Sequence, residues 1–145
     1  MTTSELYQSV ILDHNRSPHN FGELEGANHQ AEGHNPLCGD AVTVFLKLRD
    51  GAIQEVSFKA SGCAISIASA SLMTDALRGK SVEEARALFE EFREVLTGRR
   101  EPPGTLSPAD VLAGVREFPM RVKCATLPWH AMISALDGEE SVSTE

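Results

Sequence analysis

The dipeptide Asp50-Gly51 lies between two apolar alternations, and no other feature constrains the fold of this chain so tightly. Ahead of it, Val42, Val44, Leu46 and Leu48 alternate with Thr43, Phe45 and Lys47, the period-two pattern of a strand buried mainly on one face. Behind it, Ile53, Val56 and Phe58 continue into a second strand that ends at Ser61-Gly62. A two-residue hairpin turn needs positive φ at its central residues, and Asp-Gly meets that need. The spacing predicts an antiparallel hairpin, with a short further strand expected over 27–33.

Helical periods surround this hairpin. Ser4 is the expected N-cap of a first helix carrying Leu6, Tyr7, Val10, Ile11 and His14, broken by Pro18 and Gly22. After the hairpin, Cys63 to Arg78 reads as an Ala/Ser-rich helix closed by Gly79. Ser81 with Glu84 forms a capping box for an amphipathic helix stopped at Gly98. Ser107-Pro108 opens a short helix after the linker "RREPPGT". A final helix is expected from about Cys124, with Pro128 in its first turn and Trp129, Met132, Ile133 and Leu136 on its apolar face. The expected fold is α+β: a small antiparallel sheet of about three strands with helices packed on one face. One domain is expected over 1–136, followed by an acidic, disordered tail over 137–145 holding Asp137, Glu139, Glu140 and Glu145.

With 145 residues, the chain is long enough to bury a core. A net charge of −8 argues against nucleic-acid and anionic-membrane partners, which require clustered Lys and Arg. The longest uncharged stretch, Ala60 to Thr74, is too short and too polar to cross a bilayer, and the first ten residues lack a secretory signal. The expected location is the cytoplasm.

Three cysteines remain to be explained: Cys38, Cys63 and Cys124. None belongs to a CxxC pair, and a cytosolic chain of this size needs no disulfide framework. Each is expected at an element boundary: Cys38 in the loop before a strand, Cys63 and Cys124 at helix starts. Buried apolar thiols, a reactive thiol and metal ligands all stay open. With Asp40 the three thiolates would complete a tetrahedral zinc site with no open position, although Asp40 after Gly39 also suits a turn. Such a set carries −4 against +2, and Arg121 and Lys123 beside Cys124 are candidates to offset the residue. His14, His19, His29, His34 and His130 show no HxxxH or HExxH spacing. A Cys38–His34 nucleophile pair lacks any accompanying oxyanion signature.

Four ordered blocks, "LYQSVILDHNRSPHNFG" (6–22), "HNPLCGD" (34–40), "SGCAISIASASLMT" (61–74) and "RVKCATLPW" (121–129), resemble the SufU branch of the IscU/NifU-type iron–sulfur assembly proteins. The resemblance spans residues 6 to 136. It implies that Cys38, Asp40, Cys63 and Cys124 form the family's metal quartet and that Cys38 is the sulfur acceptor. IscU-type scaffolds carry His before the third cysteine, where this chain has Lys123, and an LPPVK chaperone motif, where it reads "FPMRVK" (118–123). The additional segment "GRREPPGTLSPADVLAG" (98–114) also resembles SufU.

The SufU resemblance implies a zinc-dependent sulfurtransferase that takes persulfide sulfur from a pyridoxal-phosphate cysteine desulfurase of the SufS type and serves downstream iron–sulfur scaffold proteins. Two alternatives stay open: a scaffold assembling a transient iron–sulfur cluster on Cys38, Cys63 and Cys124, and a structural zinc module regulating a partner.

Overall fold

The structure is a computed structural model and describes residues 3–104 and 107–143. The side chains of residues 3, 4, 6, 7 and 142 lie outside that description, and with them the expected cap at Ser4 and the apolar positions Leu6 and Tyr7.

Helix α1 (Thr3–Arg16) leads into strands β1 (His29–Asn35), β2 (Asp40–Arg49) and β3 (Ala52–Ser61). Helices α2 (Ala64–Leu77), α3 (Val82–Leu96) and α4 (Pro108–Leu112) follow. A 3-10 turn (Ala113–Glu117), helix α5 (Pro119–Leu136) and strand β4 (Ser141–Ser143) complete the order. The sheet runs β3-β2-β1-β4, with β1–β2 and β2–β3 antiparallel and β1–β4 parallel. This is the α+β fold expected from the sequence.

Asp50 and Gly51 both have positive φ (54° and 77°), and Arg49 pairs with Ala52 across the turn. The hairpin is therefore closed by the two-residue turn that the dipeptide favours. Val42, Val44 and Leu46 from β2 join Ile53, Val56 and Phe58 from β3 on the buried face. Helices α2 and α5 cover that face, and Trp129 of α5 stacks on Phe92 of α3 with ring centroids 4.4 Å apart. On β1 the inward positions are Ala31, Gly33 and Asn35. A Cβ on Gly33 would stand 3.0 Å from Leu127 Cδ1 and 3.3 Å from the Ala131 Cβ, so α5 packs directly on the β1 backbone. The capping box at Ser81 forms as read, with Glu84 N–H donating to Ser81 Oγ (3.1 Å) and Ser81 N–H to Glu84 Oε1 (3.0 Å).

Two expectations need correction. The last helix starts at Pro119, not near Cys124. Phe118 before it is extended (φ −125°, ψ 93°), as a residue preceding proline prefers, and Pro119 takes the first helical position. Pro128 is consequently inside α5, where it lacks the N–H that would bond the carbonyl of Cys124. Ser66 of α2 fills that gap: its Oγ donates to the Cys124 carbonyl at 2.8 Å. One turn on, Ser69 Oγ donates to the Ala125 carbonyl (2.5 Å) and accepts from Trp129 Nε1 (3.2 Å). Ser66 and Ser69, buried as they are, thus bond α2 to α5.

The second correction concerns the tail, which is not uniformly disordered. Ser141–Ser143 pair with Glu32–His34, and Glu32 N–H donates to the Glu140 carbonyl at 2.9 Å. Composition argued for solvation, but a strand edge offers backbone partners to any short segment that reaches it.

Candidate metal and thiol site

The β1–β2 hairpin ends at Asn35 and Asp40, which are paired in register, so Pro36-Leu37-Cys38-Gly39 form its loop. Gly39 has φ of 70° and lets the loop turn back into β2. Cys38 N–H donates to the Asn35 carbonyl (3.2 Å), while its side chain is exposed. Asp40, at the first position of β2, points inward and is 2% exposed.

Asp40 is aimed at the start of α2. Its Oδ1 accepts the Cys63 N–H at 2.7 Å, and its Oδ2 lies 3.7 Å from Cys63 Sγ. Cys63 is the N-cap residue of α2 but makes no cap bond with its own side chain; the Asp40 carboxylate satisfies a free N–H there and complements the helix dipole. This approach requires glycine at 62. A Cβ there would collide with Asp40 Oδ1 and sit 2.8 Å from Asp40 Cα, and φ is 129°.

Cys124 comes from the second turn of α5, not from a helix start, and is 4% exposed. The ligand atoms of Cys38, Asp40 and Cys124 all lie within 4.8 Å of one another. Cys63 stands beside that triad, in contact with Asp40. A tetrahedral zinc ion with thiolate ligands at about 2.3 Å needs donors about 4 Å apart. Cys38, Asp40 and Cys124 meet that spacing and their donor set suits a dication with thiolate preference, while the Cys63 thiol, in contact with Asp40, stands next to them as a fourth candidate. Burial first, then hydrogen bonds with Asp40, Cys38 and Cys63, push the Cys124 thiol far above its usual range. Its proton is held until a cation displaces it.

Arg121 and Lys123 are less closely involved. Arg121 is exposed and its guanidinium lies over the Phe118 ring, 4.6 Å from the centroid. Among the described residues, neither Arg121 nor Lys123 forms an ion pair with Asp40. His34 faces outward on β1 with Nε2 3.5 Å from Glu32, and among the described residues no hydrogen bond joins it to Cys38. His14 and His19 belong to another cluster: His14 Nδ1 meets Ser71 Oγ (2.6 Å) and His19 Nδ1 meets Asp75 Oδ2 (2.5 Å).

Three residues around the site had no sequence signal of their own. Gly62 was visible only as a strand end and Ser66 only as part of an Ala/Ser helix. Asn35 is fully buried: its Nδ2 donates to Cys124 Sγ at 3.8 Å and its Oδ1 has no hydrogen-bond partner among the described residues.

Fold and site together define a small α+β domain that gathers three cysteines and a carboxylate from three separate segments at one end of its sheet. The family described as NifU-like N terminal domain matches residues 6–125, and the chain belongs to it. It is 42% identical over 134 residues to the iron–sulfur cluster assembly scaffold protein IscU of Streptococcus pyogenes serotype M1, covering 92% of this chain and 84% of that one. It is 38% identical over 136 residues to the zinc-dependent sulfurtransferase SufU of Bacillus subtilis, covering 93% and 92%. Among solved structures, a putative iron–sulfur cluster assembly scaffold protein for the SUF system from Fervidobacterium islandicum superposes with a TM-score of 0.84. That protein is 32% identical, over 93% of this chain and 99% of its own. No helix among the described residues is long and apolar enough to cross a membrane.

Proposed function

We propose that this chain acts in iron–sulfur cluster assembly as a zinc-dependent sulfur acceptor, a cytoplasmic sulfurtransferase working with a pyridoxal-phosphate cysteine desulfurase of the SufS type. The observation that carries the reading is the division of the cluster. Cys124 and Asp40 are buried on rigid elements, whereas Cys38 is exposed on a four-residue loop next to a glycine in left-handed conformation. The SufU relative's name adds zinc and sulfur transfer.

Cys38, Asp40, Cys63 and Cys124 would hold the ion. Bound zinc keeps its cysteines as thiolates at neutral pH. Asp40 holds the Cys63 end of the site in place through the Cys63 N–H. The Cys38 thiolate attacks the outer sulfur of the desulfurase persulfide. The S–S bond breaks, its electron pair returns to the desulfurase cysteine as thiolate, and Cys38 carries the persulfide. No net oxidation occurs, so no further reductant enters the step. Downstream scaffold proteins would then take the sulfur.

The test is incubation with desulfurase and cysteine, following alanine release and the mass of the Cys38 peptide. A sulfur adduct of about 32 Da on that peptide, and loss of desulfurase stimulation in Cys38→Ala, are expected. Full stimulation by that variant, or an adduct confined to Cys63 or Cys124, would overturn the assignment. The names of the Streptococcus and Fervidobacterium relatives favour a second reading, a scaffold on which a cluster is assembled on the same three cysteines. A brown protein with visible absorption would favour it; a colourless protein with one equivalent of zinc favours sulfur transfer.

A further inference from the structure

We infer that Asn35 is a positioning residue that fixes Cys124 as the permanent sulfur of the site and so leaves Cys38 as the one that moves; this rests on the metal reading proposed above. Pro36 biases Asn35 toward extended backbone, and the alternation of β1 turns its side chain inward. There it is 0% exposed, and its Nδ2 donates to Cys124 Sγ at 3.8 Å. Its backbone carbonyl accepts the Cys38 N–H at 3.2 Å. One residue therefore touches both the buried and the exposed cysteine, by different groups.

Its other amide atom is the telling one. Asn35 Oδ1 is buried and has no hydrogen-bond partner among the described residues, an arrangement that costs stability. An apolar residue of similar volume would remove that cost, so the contribution of Asn35 to folding does not account for its chemistry. The N–H···S bond does. A donor aimed at a thiolate draws off charge, strengthens its orientation toward the metal and lowers its nucleophilicity. Groups that orient metal ligands in this way typically change metal affinity 10- to 100-fold when removed. Among the described residues no amide side chain donates to the Cys38 sulfur; its backbone N–H is spent on the Asn35 carbonyl.

The experiment compares wild type with Asn35→Leu, which replaces both amide atoms by methyl groups in the same branched shape, and Asn35→Ala, which cannot clash. Each protein is stripped of metal and melted, then loaded with Zn2+ against a competing chelator and, separately, with Co2+. Metal-free Asn35→Leu is expected to melt at or above the wild-type temperature. Both variants are expected to bind Zn2+ at least tenfold more weakly. Their sulfur-to-cobalt charge-transfer band is expected to move to longer wavelength, because the thiolate lone pairs lose a stabilising donor. Iodoacetamide on the Zn2+-loaded variants should label Cys124 several-fold faster than in wild type, with the rate at Cys38 unchanged.

A metal-free variant destabilised as much as the loaded one, with wild-type cobalt spectrum and Cys124 labelling rate, would reduce Asn35 to packing and overturn the inference. Asn35→Ala decides the same question if Asn35→Leu does not fold. Failure of the underlying reading has a different signature: wild type itself would show no sulfur-to-cobalt band.

Discussion

Replacing Ser66 with alanine should uncover a defect written into α5 by Pro128. The Cys124 carbonyl cannot be reached by an N–H at position 128, and Ser66 Oγ is the donor that reaches it, at 2.8 Å. Both residues are buried, at 1% and 4% exposure, so water cannot replace the bond. A buried carbonyl left without a partner costs about 1–3 kcal/mol. For a domain near this size, that is a melting-temperature loss of about 2–4 °C per kcal/mol. Pro128→Ala restores a helical N–H beneath the same carbonyl. In the Pro128→Ala background, Ser66→Ala should therefore cost less than about 0.5 kcal/mol, because the acceptor keeps a partner. The four proteins form a double-mutant cycle, measured by urea unfolding of the metal-free chain with far-UV circular dichroism. We expect an interaction energy of at least about 1 kcal/mol. A cycle additive to within about 0.3 kcal/mol would refute the reasoning and show that Ser66 matters only as a small residue between helices.

Gly62→Ala should lower stability by about 2–6 kcal/mol, combining strain at φ of 129° with overpacking against Asp40, and should weaken Zn2+ binding in a chelator competition; an unchanged melting curve would refute the close approach. Stability should also fall on acidification. His14 is held below its ordinary value of 6.5 by burial and then by His19, and His130 by burial and then by Arg93. Both are neutral in the fold and bind protons more readily when unfolded. Their contribution is complete above pH of about 6.5 and is lost as pH falls below it toward the folded-state values, by at most about 1.4 kcal/mol per unit for each histidine. Melting temperatures between about pH 5 and 7 should flatten in the His14→Gln/His130→Gln double variant, and an identical slope in both proteins would count against this account.

The parts of the fold that local chemistry decides were readable in advance. Asp50-Gly51 dictates its own turn, and Ser81 with Glu84 its own cap, because each involves neighbours a few residues apart. Pro128 suggests a first turn for α5, but Pro119 is the proline with that role. The difference matters for chemistry: Cys124 is not at a helix N-terminus but buried within the helix, where desolvation raises its thiol. The cysteines and Asp40 stood out by residue type, but their convergence depends on β1, β2, α2 and α5 meeting at one end. Asn35, Gly62 and Ser66 were illegible for the same reason. Each is defined by a partner 22 to 89 positions away, Gly62 to Asp40, Ser66 to Cys124 and Asn35 to Cys124, and no local pattern records such a distance.

The short strand β4 has a consequence for how the molecule behaves in a crowd. Exposed strand edges recruit one another and begin aggregates. Here the outer edge of β3 is engaged at Phe58 by residues 20–22 and at Ile53 by Gly79 and Lys80. The opposite edge, β1, is shielded at Glu32–His34 by Ser141–Ser143. Truncation after Leu136 would bare that edge immediately before Asn35 and the Cys38 loop. A shortened chain would then offer a neighbouring copy a template for pairing at the base of the thiol cluster, so clumping and distortion of that cluster would arrive together.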